Sequence, residues 1–409
     1  MVAFHYPPWT GGSGVHRTLK FTRYLPEFGW QPIVLTPHPR AYPTNGASPC
    51  APPAGVEVAR AFAMDTARHL SIRGSYARWM SLPDRWITWW PGAVAAGLRL
   101  LRRHRPDVIW STYPIATAHL IGLTLQRMSG LPWVADFRDP MKEVDPNTGE
   151  EFPEDPAIRK VNGWIEKPAV EHCRKAVFTT PGALKMYASR FPGIPQTRWT
   201  VIPNGYDEED FTAVESSVRF DAQHNGPVVL LHSGHLYPHV RDPKCFFAAL
   251  SDLRRAGRVT PATLKVVLRA SGFDDLYRPQ LESLGIADMV FLEPPISHQQ
   301  SIIETLKADG LLIFQAINCN QQIPGKLYEY LRTRRPILAI ADRGGDTAEV
   351  LRAEGIDSIS SLHSKTDIAE GLMKFLSTLR NGNHRPRSVE QYSRRARTQE
   401  LAQLLDSVA

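Results

Sequence analysis

The feature that most constrains the fold of this chain is a regular alternation of short apolar segments with longer segments of helical spacing. Strand-like runs occur at 2–4, 31–37, 107–112, 133–139, 175–180 and 200–205, and the segment 15–29 between two of them has apolar residues on one helical face. The pattern restarts with PVVLLHSG (227–234) and continues at 263–270, 289–294, 309–315 and 336–342. Such alternation is typical of parallel sheets with helices on both faces, so the sequence predicts two consecutive doubly wound α/β units.

A polar and irregular stretch, 204–227, separates the two series of strands. We therefore predict an N-terminal domain of residues 1–205 and a C-terminal domain of residues 206–385, both Rossmann-like. A last segment, 386–409, contains one helical pattern at 388–408. Two domains agree with a length of 409 residues.

The composition is that of an ordinary folded protein, with 43% hydrophobic and 22% charged residues. The net charge is +7, and arginine runs at 101–106 and 393–397 concentrate it. Such runs fit solvated helix faces, and they also fit phosphate-bearing substrates or an anionic membrane surface. Nucleic acid is not an expected partner, because zinc-finger spacing, an RNP-like aromatic run and a helix-turn-helix pattern are all missing from the sequence.

The cellular location is expected to be cytoplasmic. Cys50, Cys173, Cys245 and Cys319 are far apart in sequence, as in a protein with reduced thiols. The start, MVAFHYPPW, has no charged n-region followed by a long apolar core, and no window approaches 18 uninterrupted apolar residues. The sequence therefore predicts neither a signal peptide nor a membrane-spanning helix.

A glycine-rich turn, TGGSGV (10–15), follows the first apolar stretch. It occupies a strand-to-helix position, which is where doubly wound sheets bind ligands. Glycine lets the backbone approach a ligand closely, and the helix that follows offers free N–H groups to an anion. A diphosphate suits this position, and a flexible loop after Pro-Pro is the alternative. The candidate residues are Gly11, Gly12, Ser13 and Gly14.

Several segments taken together resemble bacterial glycosyltransferases of family 4, in the subgroup that builds cell-surface polysaccharides. They are the stretch 5–37, ADFRDP (135–140), IPNGYDEEDF (202–211) and IPGKLYEYLRTRRPILA (323–339), in this order. The resemblance implies the GT-B fold, in which two Rossmann-like domains face a cleft and a C-terminal helix crosses back to the first domain. It further implies a nucleotide-sugar bound mainly by the second domain, an acceptor bound mainly by the first, retention of anomeric configuration, and no cofactor or metal.

The resemblance also implies a ribose site at Glu329, whose carboxylate can accept from both ribose hydroxyls. The family has a glutamate pair eight positions apart here, and this chain has Gln321 in place of the first. Gln321 keeps hydrogen-bonding capacity toward the sugar but carries no charge. Arg334 stands where the family usually has glycine. For Glu329, a solvated helix charge is the alternative interpretation.

The family meets the diphosphate charge with a basic pair after the first strand of the second domain. In SGHLYPHVRDPK (233–244), Arg241 matches the second basic position and His235 takes the first. Lys326 lies at a loop-to-helix start and is the better second cation. Further residues expected at the donor site are Gly234, Gly325, Leu327 and His16.

In the first domain, ADFRDP has Arg138 where many relatives have a histidine near the sugar. Asp136 and Asp139 flank it, and one of them is expected to orient the acceptor or the sugar, with Arg138 and Arg241 assisting catalysis. A purely structural salt bridge is the rival interpretation. His119 is an acceptor-site candidate that also suits a core position.

The stretch 78–106 is rich in tryptophan and ends in arginines. Trp86, Trp89 and Trp90, with Trp79, are expected to line the acceptor site or to contact an anionic membrane, which Arg102, Arg103 and Arg105 would favour. A core helix preceded by a packed loop is the alternative. Membrane contact would place the protein peripherally on the inner face of the cytoplasmic membrane and would suit a lipid-linked acceptor.

We therefore expect a retaining, metal-independent glycosyltransferase that moves a hexose or N-acetylhexosamine from a nucleotide-sugar to a surface glycan. Two alternatives stay open at this point. One is a nucleotide-sugar epimerase of the same fold, which needs no acceptor. The other is a catalytically silent nucleotide-binding module, which the departures at Gln321, His235 and Arg334 keep in view.

Overall fold

A computed structural model of the chain describes residues 1–9, 14–43, 51–144, 149–216, 226–238, 241–380 and 388–409. The strands are β1 Ile33–Pro37, β2 Glu57–Ala61, β3 Ile109–Thr112, β4 Trp133–Arg138, β5 Glu143–Val144, β6 Glu151–Phe152, β7 Lys175–Phe178, β8 Trp199–Val201, β9 Val228–Ser233, β10 Leu264–Arg269, β11 Val290–Glu293, β12 Gly310–Gln315, β13 Ile337–Ala341 and β14 Ile359–Ser360. The α-helices are α1 Gly14–Tyr24, α2 Thr66–His69, α3 Trp89–His104, α4 Ala116–Ser129, α5 Pro156–His172, α6 Pro181–Arg190, α7 Glu208–Glu215, α8 Lys244–Arg255, α9 Asp274–Ser283, α10 His298–Lys307, α11 Lys326–Thr333, α12 Asp346–Ala353, α13 Lys365–Arg380 and α14 Arg394–Asp406.

Internal contacts divide the chain into two compact units. Unit 1 contains Met1–Asn204 together with Arg394–Ala409, and unit 2 contains Gly205–Ser393. Each unit is built on its own parallel sheet.

The sheet of unit 1 is assembled around the first residues of the chain. Val2 bridges in parallel to Leu35 of β1 and to Ser111 of β3, which joins the pair β1–β2 to the run β3-β4-β7-β8. All of these strands are parallel. The short strands β5 and β6 form a separate antiparallel pair.

The first helix of unit 1 follows the predicted pattern. After α1 the chain continues as a 3-10 turn, Leu25–Phe28. This helical region ends at Gly29, whose φ of +84° is a left-handed conformation that glycine adopts without strain. Helix α14 packs its apolar residues Leu401 and Leu405 in one cluster with Phe21 and Leu25. The last helix of the chain therefore completes the core of unit 1.

The sheet of unit 2 has six parallel strands in the order β11-β10-β9-β12-β13-β14. Numbered within the unit, this order is 3-2-1-4-5-6, and it reverses between β9 and β12. The crevice beyond the carboxyl ends of strands at such a reversal is where doubly wound sheets bind ligands. All of β12 and the central residues of β9 are buried, and both faces of the sheet pack against apolar clusters.

Candidate functional site

The carboxyl edge of unit 2 brings together several groups that the sequence predicts for the donor. Gly234 directly follows β9, Lys326 opens α11, and Arg241 comes from the loop before α8. Gln315, which ends β12, accepts a hydrogen bond at Oε1 from Nε of Arg241 at 3.2 Å. The Gln315 amide group in turn donates to the carbonyls of Cys319 and Gln322 at 2.9 and 3.2 Å, which fixes the orientation of its oxygen.

Lys326 is held directly over the backbone of Gly234. A Cβ atom at position 234 would lie 2.7 Å from Nζ of Lys326, and Gly234 has a φ of +114°. The backbone conformation therefore favours glycine here, and a Cβ atom would displace the flexible end of Lys326. Nζ of Lys326 also lies 3.1 Å from Nε2 of His232, the penultimate residue of β9.

The electrostatics of this edge favour an anion. Burial, together with the charge of Arg241, lowers the pKa of Lys326 to about 7. Burial also lowers the pKa of Arg241. Among the described residues, Lys326 contacts His232 and Arg241 contacts Gln315, both of them neutral side chains. Two partly buried cations that repel each other are stabilised when a phosphate group binds between or beside them.

His235 stands beside this pair as part of an exposed aromatic surface. Its ring stacks on Tyr237 with centroids 5.5 Å apart and an interplanar angle of 12°. A Cβ atom at Gly272, where φ is +79°, would lie 2.5 Å from Cδ2 of His235. The stack is therefore backed by a glycine, and a flat ring system could lie against it.

Glu329 lies in the first turn of α11 with its side chain 36% exposed. Nε2 of His298 is 3.3 Å from Oε1 of Glu329, and Nδ1 of His298 is 3.9 Å from Asp210 Oδ2. A half-exposed carboxylate at a helix start is accessible to a ribose. Gly325 is the N-cap residue of this helix, Gln321 is partly buried in the preceding loop, and Arg334 ends the helix with a φ of +57°.

Leu327 corrects one part of the expected donor site. Its side chain is fully buried in the apolar core, and its N–H donates to the carbonyl of Pro324 at 2.9 Å. Neither the side chain nor the backbone N–H of Leu327 is therefore available to a nucleotide-sugar.

In unit 1, Asp136 is a structural anchor. Its two oxygens accept hydrogen bonds from Nε and Nη2 of Arg17, both at 2.9 Å, and Oδ2 also accepts from Thr112 Oγ1 at 2.9 Å. Arg17 is 2% exposed and Asp136 is fully buried. Nη1 of Arg17 donates to the carbonyl of Pro203 at 3.1 Å. This geometry favours the structural salt bridge over a direct role of Asp136 toward acceptor or sugar.

Arg138, which is buried, and Asp139, which is partly buried, form a second polar group at the end of β4. Arg138 adopts a φ of +61°, and its Nη1 donates to the carbonyls of Gly14 and Tyr113 at 3.3 and 3.4 Å. Asp139 accepts from Thr179 Oγ1 at 3.3 Å, and burial raises its pKa. Nε of Arg138 is buried without a hydrogen-bond partner among the described residues. This pair therefore keeps polar capacity that a substrate could use.

His5, which the sequence analysis did not select, lies beside this group. A Cβ atom at Gly14 would be 2.7 Å from Nδ1 of His5. Burial and the charge of Arg138 lower the pKa of His5 to about 4, so the imidazole is neutral near pH 7. Gly14 and the partly buried His16 lie in the first turn of α1, whereas Gly11, Gly12 and Ser13 lie outside the described residues.

Two of the acceptor or membrane candidates are core residues. Trp89 is fully buried in the apolar cluster of unit 1, and His119 is fully buried with Nδ1 2.8 Å from Ser111 Oγ. The prediction that these two side chains contact an acceptor or a membrane is therefore wrong. Trp86 is partly buried and donates to the carbonyl of Ala41 at 3.1 Å, and Trp90 is 39% exposed.

Sequence reasoning also missed His232, Gln315 and His298. His232 and Gln315 lie at the ends of apolar strands, where single polar residues resemble core positions. Both residues lie near the ends of the two strands that flank the reversal of strand order, which is where a ligand site is expected. The order of the strands cannot be read from the sequence, so this position did not identify them. Within the described residues, no helix has the length and apolarity needed to cross a bilayer.

The comparisons with known proteins agree with this architecture. Residues 11–205 match the model of the glycosyl transferase 4-like domain, and no curated protein sequence matches the chain. Sucrose-phosphate synthase from Thermosynechococcus elongatus is 14% identical, with a TM-score of 0.65 and coverage of 99% of this chain and 97% of that one. HepE from Anabaena in complex with UDP is 13% identical, with a TM-score of 0.60 and 99% coverage of both chains. The lipopolysaccharide outer core galactosyltransferase WaaB is 13% identical, with a TM-score of 0.61 and 99% coverage of both chains.

Proposed function

This chain carries a glycosyl transferase 4-like domain at residues 11–205, and from that premise we propose that it transfers a hexose or N-acetylhexosamine from a nucleotide-sugar to a surface-glycan acceptor. The transfer is retaining and needs no metal. The observation that carries the proposal is the pair of partly buried cations, Lys326 and Arg241, at the strand reversal of unit 2. HepE, which shares the fold, was solved with UDP and with UDP-glucose, which supports a nucleotide-sugar as donor.

The chemistry follows from how these groups would meet a donor. The bond between the anomeric carbon and the phosphate oxygen breaks, and the leaving diphosphate gains negative charge. Lys326 and Arg241 stabilise that charge, which makes the cations more valuable in the transition state than in the bound donor. The acceptor hydroxyl forms the new bond on the same face of the sugar and passes its proton to the leaving phosphate oxygen. Because the cations neutralise the diphosphate, this step does not depend on a metal.

Glu329 and Gln321 complete the donor site in this proposal. Glu329 accepts from the ribose hydroxyls, and Gln321 hydrogen-bonds to the sugar. In unit 1, Arg138 and Asp139 orient the acceptor, since Nε of Arg138 lacks a hydrogen-bond partner among the described residues and Asp139 has a raised pKa. A raised pKa is common among carboxyl groups at functional sites.

The acceptor is proposed to be lipid-linked, with peripheral contact to an anionic membrane at the inner face of the cytoplasmic membrane. The support is an exposed segment, 72–79, in which Ile72 is 79%, Tyr76 39% and Trp79 74% exposed. Arg73 in the same segment is exposed and adds positive charge. Exposed aromatic and aliphatic side chains next to arginine suit the boundary between headgroups and acyl chains.

The experiment that tests the function starts with thermal-shift titration of UDP-, GDP- and ADP-glucose and the corresponding N-acetylglucosamine donors. The donor that binds is then incubated with and without a lipid-linked oligosaccharide, and the products are separated and examined by NMR. A new glycosidic bond with the anomeric configuration of the donor supports the proposal. A new sugar nucleotide formed without acceptor would identify an epimerase, and binding without turnover would identify a silent module.

A further inference from the structure

His232 is a buried histidine with a defined hydrogen-bonding arrangement. It is 1% exposed and is the fifth of the six residues of β9. Its Nδ1 lies 2.9 Å from the carbonyl oxygen of Leu312 in β12. A carbonyl only accepts, so Nδ1 carries the proton. In the neutral ring, Nε2 is therefore the acceptor, and it faces Nζ of Lys326 at 3.1 Å.

The surroundings keep this ring neutral. Burial, followed by the charges of Lys326 and Arg241, lowers the pKa of His232 well below its ordinary value. The imidazole therefore offers an acceptor to Lys326 throughout the physiological pH range and does not act as a proton donor there. A histidine used in this way is a fixed support for the lysine.

Lys326 needs such a support because its side chain is long and flexible. Gly234 leaves the space beneath Nζ, and His232 supplies the acceptor beside it. The charged groups that face Lys326 are Arg241, which disfavours its protonation, and Glu329 on its own helix, which favours it. Among the described residues, the hydrogen-bond partner of Nζ is Nε2 of His232.

We propose that His232 is a positioning residue for the leaving diphosphate: its Nε2 holds Nζ of Lys326 over Gly234, at the strand reversal where the donor's phosphates bind. The inference rests on the proposed function, since it assigns the same site a support that neither the motifs nor the similar structures point to. His232 does not touch the donor itself. Its effect therefore passes entirely through Lys326.

Two variants separate the acceptor from the rest of the ring. In His232→Asn, the amide N–H₂ can still donate to Leu312 as Nδ1 does, but no acceptor reaches Lys326. In His232→Gln, the longer side chain can bring an oxygen to the position of Nε2. The probes are UDP-, GDP- and ADP-glucose with the matching free nucleosides, and the tightest nucleotide-sugar is carried through isothermal titration of all variants.

We expect His232→Asn to weaken binding of the nucleotide-sugar by about fivefold to tenfold, which is the value of one ordinary hydrogen bond. Binding of the free nucleoside should not change, because the nucleoside lacks the phosphates. His232→Gln should stay within about twofold of the unsubstituted protein. Equal loss in both variants, or loss of nucleoside binding, would assign His232 a merely structural role.

A double-mutant cycle keeps the test decisive if His232→Asn lowers the thermal midpoint. In a Lys326→Met background, His232→Asn should cause no further loss of nucleotide-sugar affinity, because the group that it positions is gone. Gly234→Ala should reproduce the selective loss by displacing Nζ from the other side. Additive losses in the cycle would overturn the inference. If the unsubstituted protein binds none of the nucleotide-sugars, the proposed function fails instead.

Discussion

Substitution of the ion pair between Arg17 and Asp136 distinguishes a catalytic role of the ADFRDP motif from a structural one. Asp136→Asn removes the charge that faces a guanidinium only 2% exposed, and it leaves Arg17 buried without a counter-ion. Removing one partner of a buried ion pair costs about 3–5 kcal/mol. With an m-value of about 2 kcal/mol/M, the urea midpoint should fall by roughly 2 M.

The assay is urea unfolding followed by circular dichroism, with turnover measured on protein that is still folded. Asp288→Asn is the matched control, because Asp288 also pairs with an arginine, Arg254, but with a side chain that is 53% exposed. An exposed pair contributes at most about 1 kcal/mol, so the control midpoint should move little. The double variant Arg17→Met/Asp136→Leu should recover much of the stability, since apolar side chains replace both buried charges.

The opposite pattern would contradict a structural role of Asp136. If Asp136→Asn kept the urea midpoint of the unsubstituted protein but lowered turnover by about a hundredfold or more, Asp136 would belong to the reacting site. Such a loss corresponds to roughly 2.7 kcal/mol of transition-state stabilisation. The rival interpretation of the motif as a structural salt bridge would then be wrong.

Three further predictions concern the site and its surroundings. Affinity for the nucleotide-sugar should fall as pH rises through about 7, by up to about tenfold per pH unit. The reason is that the protonated form of Lys326 binds the diphosphate, and its lowered pKa makes that form minor above about pH 7. An affinity that stays constant from about pH 6 to about pH 9 would count against a charged lysine in the site. Glu329→Ala should raise the donor dissociation constant by about tenfold through the loss of its hydrogen bonds, whereas Arg138→Ala should mainly lower kcat; steady-state kinetics separates the two, and unimpaired turnover in both would contradict these roles. The double variant Ile72→Ser/Trp79→Ser should reduce flotation with phosphatidylglycerol vesicles but not with phosphatidylcholine vesicles. The matched control is Trp164→Ser, because Trp164 is 65% exposed and lies outside segment 72–79. Equal flotation of the unsubstituted protein, the double variant and the control would show that segment 72–79 does not contact the membrane.

The glycosyl transferase 4-like domain and the fold class could be predicted from the sequence because their signals are local. The motifs indicated a family 4 glycosyltransferase; residues 11–205 match the model of a glycosyl transferase 4-like domain, and the similar structures share the fold of the chain. The polysaccharide subgroup stays a prediction. The alternation of segments predicted parallel α/β sheets, which is confirmed. The run predicted at 227–234 is β9, Val228–Ser233, and Gly29 ends the first helical region as expected.

Strand β2 is an element that the pattern did not reveal. Its residues, Glu57–Ala61, mix charged and apolar side chains without a regular alternation and are mostly half-buried at the edge of the sheet. An edge strand needs less apolar sequence than a central one, so its pattern is weak.

The site could be predicted from the sequence only where its residues are close neighbours along the chain. The neighbours Gly234 and His235 could be selected from one segment, and Lys326 and Glu329 from another. The partnership of Arg17 with Asp136 spans 119 positions, and that of His232 with Lys326 spans 94, so neither was visible before the strands were paired. The burial of Trp89 and His119 also depends on which helix faces meet the sheet, and composition does not report that.

Titration of Lys326→Met against the tightest of UDP-, GDP- and ADP-glucose is the most direct measurement of the donor site. We predict that the substitution weakens the nucleotide-sugar by about tenfold to a hundredfold, the value of a charge-assisted contact to phosphate, and leaves the free nucleoside unaffected. If the variant and the unsubstituted protein bind the nucleotide-sugar with the same affinity, the strand reversal of unit 2 is not the diphosphate site.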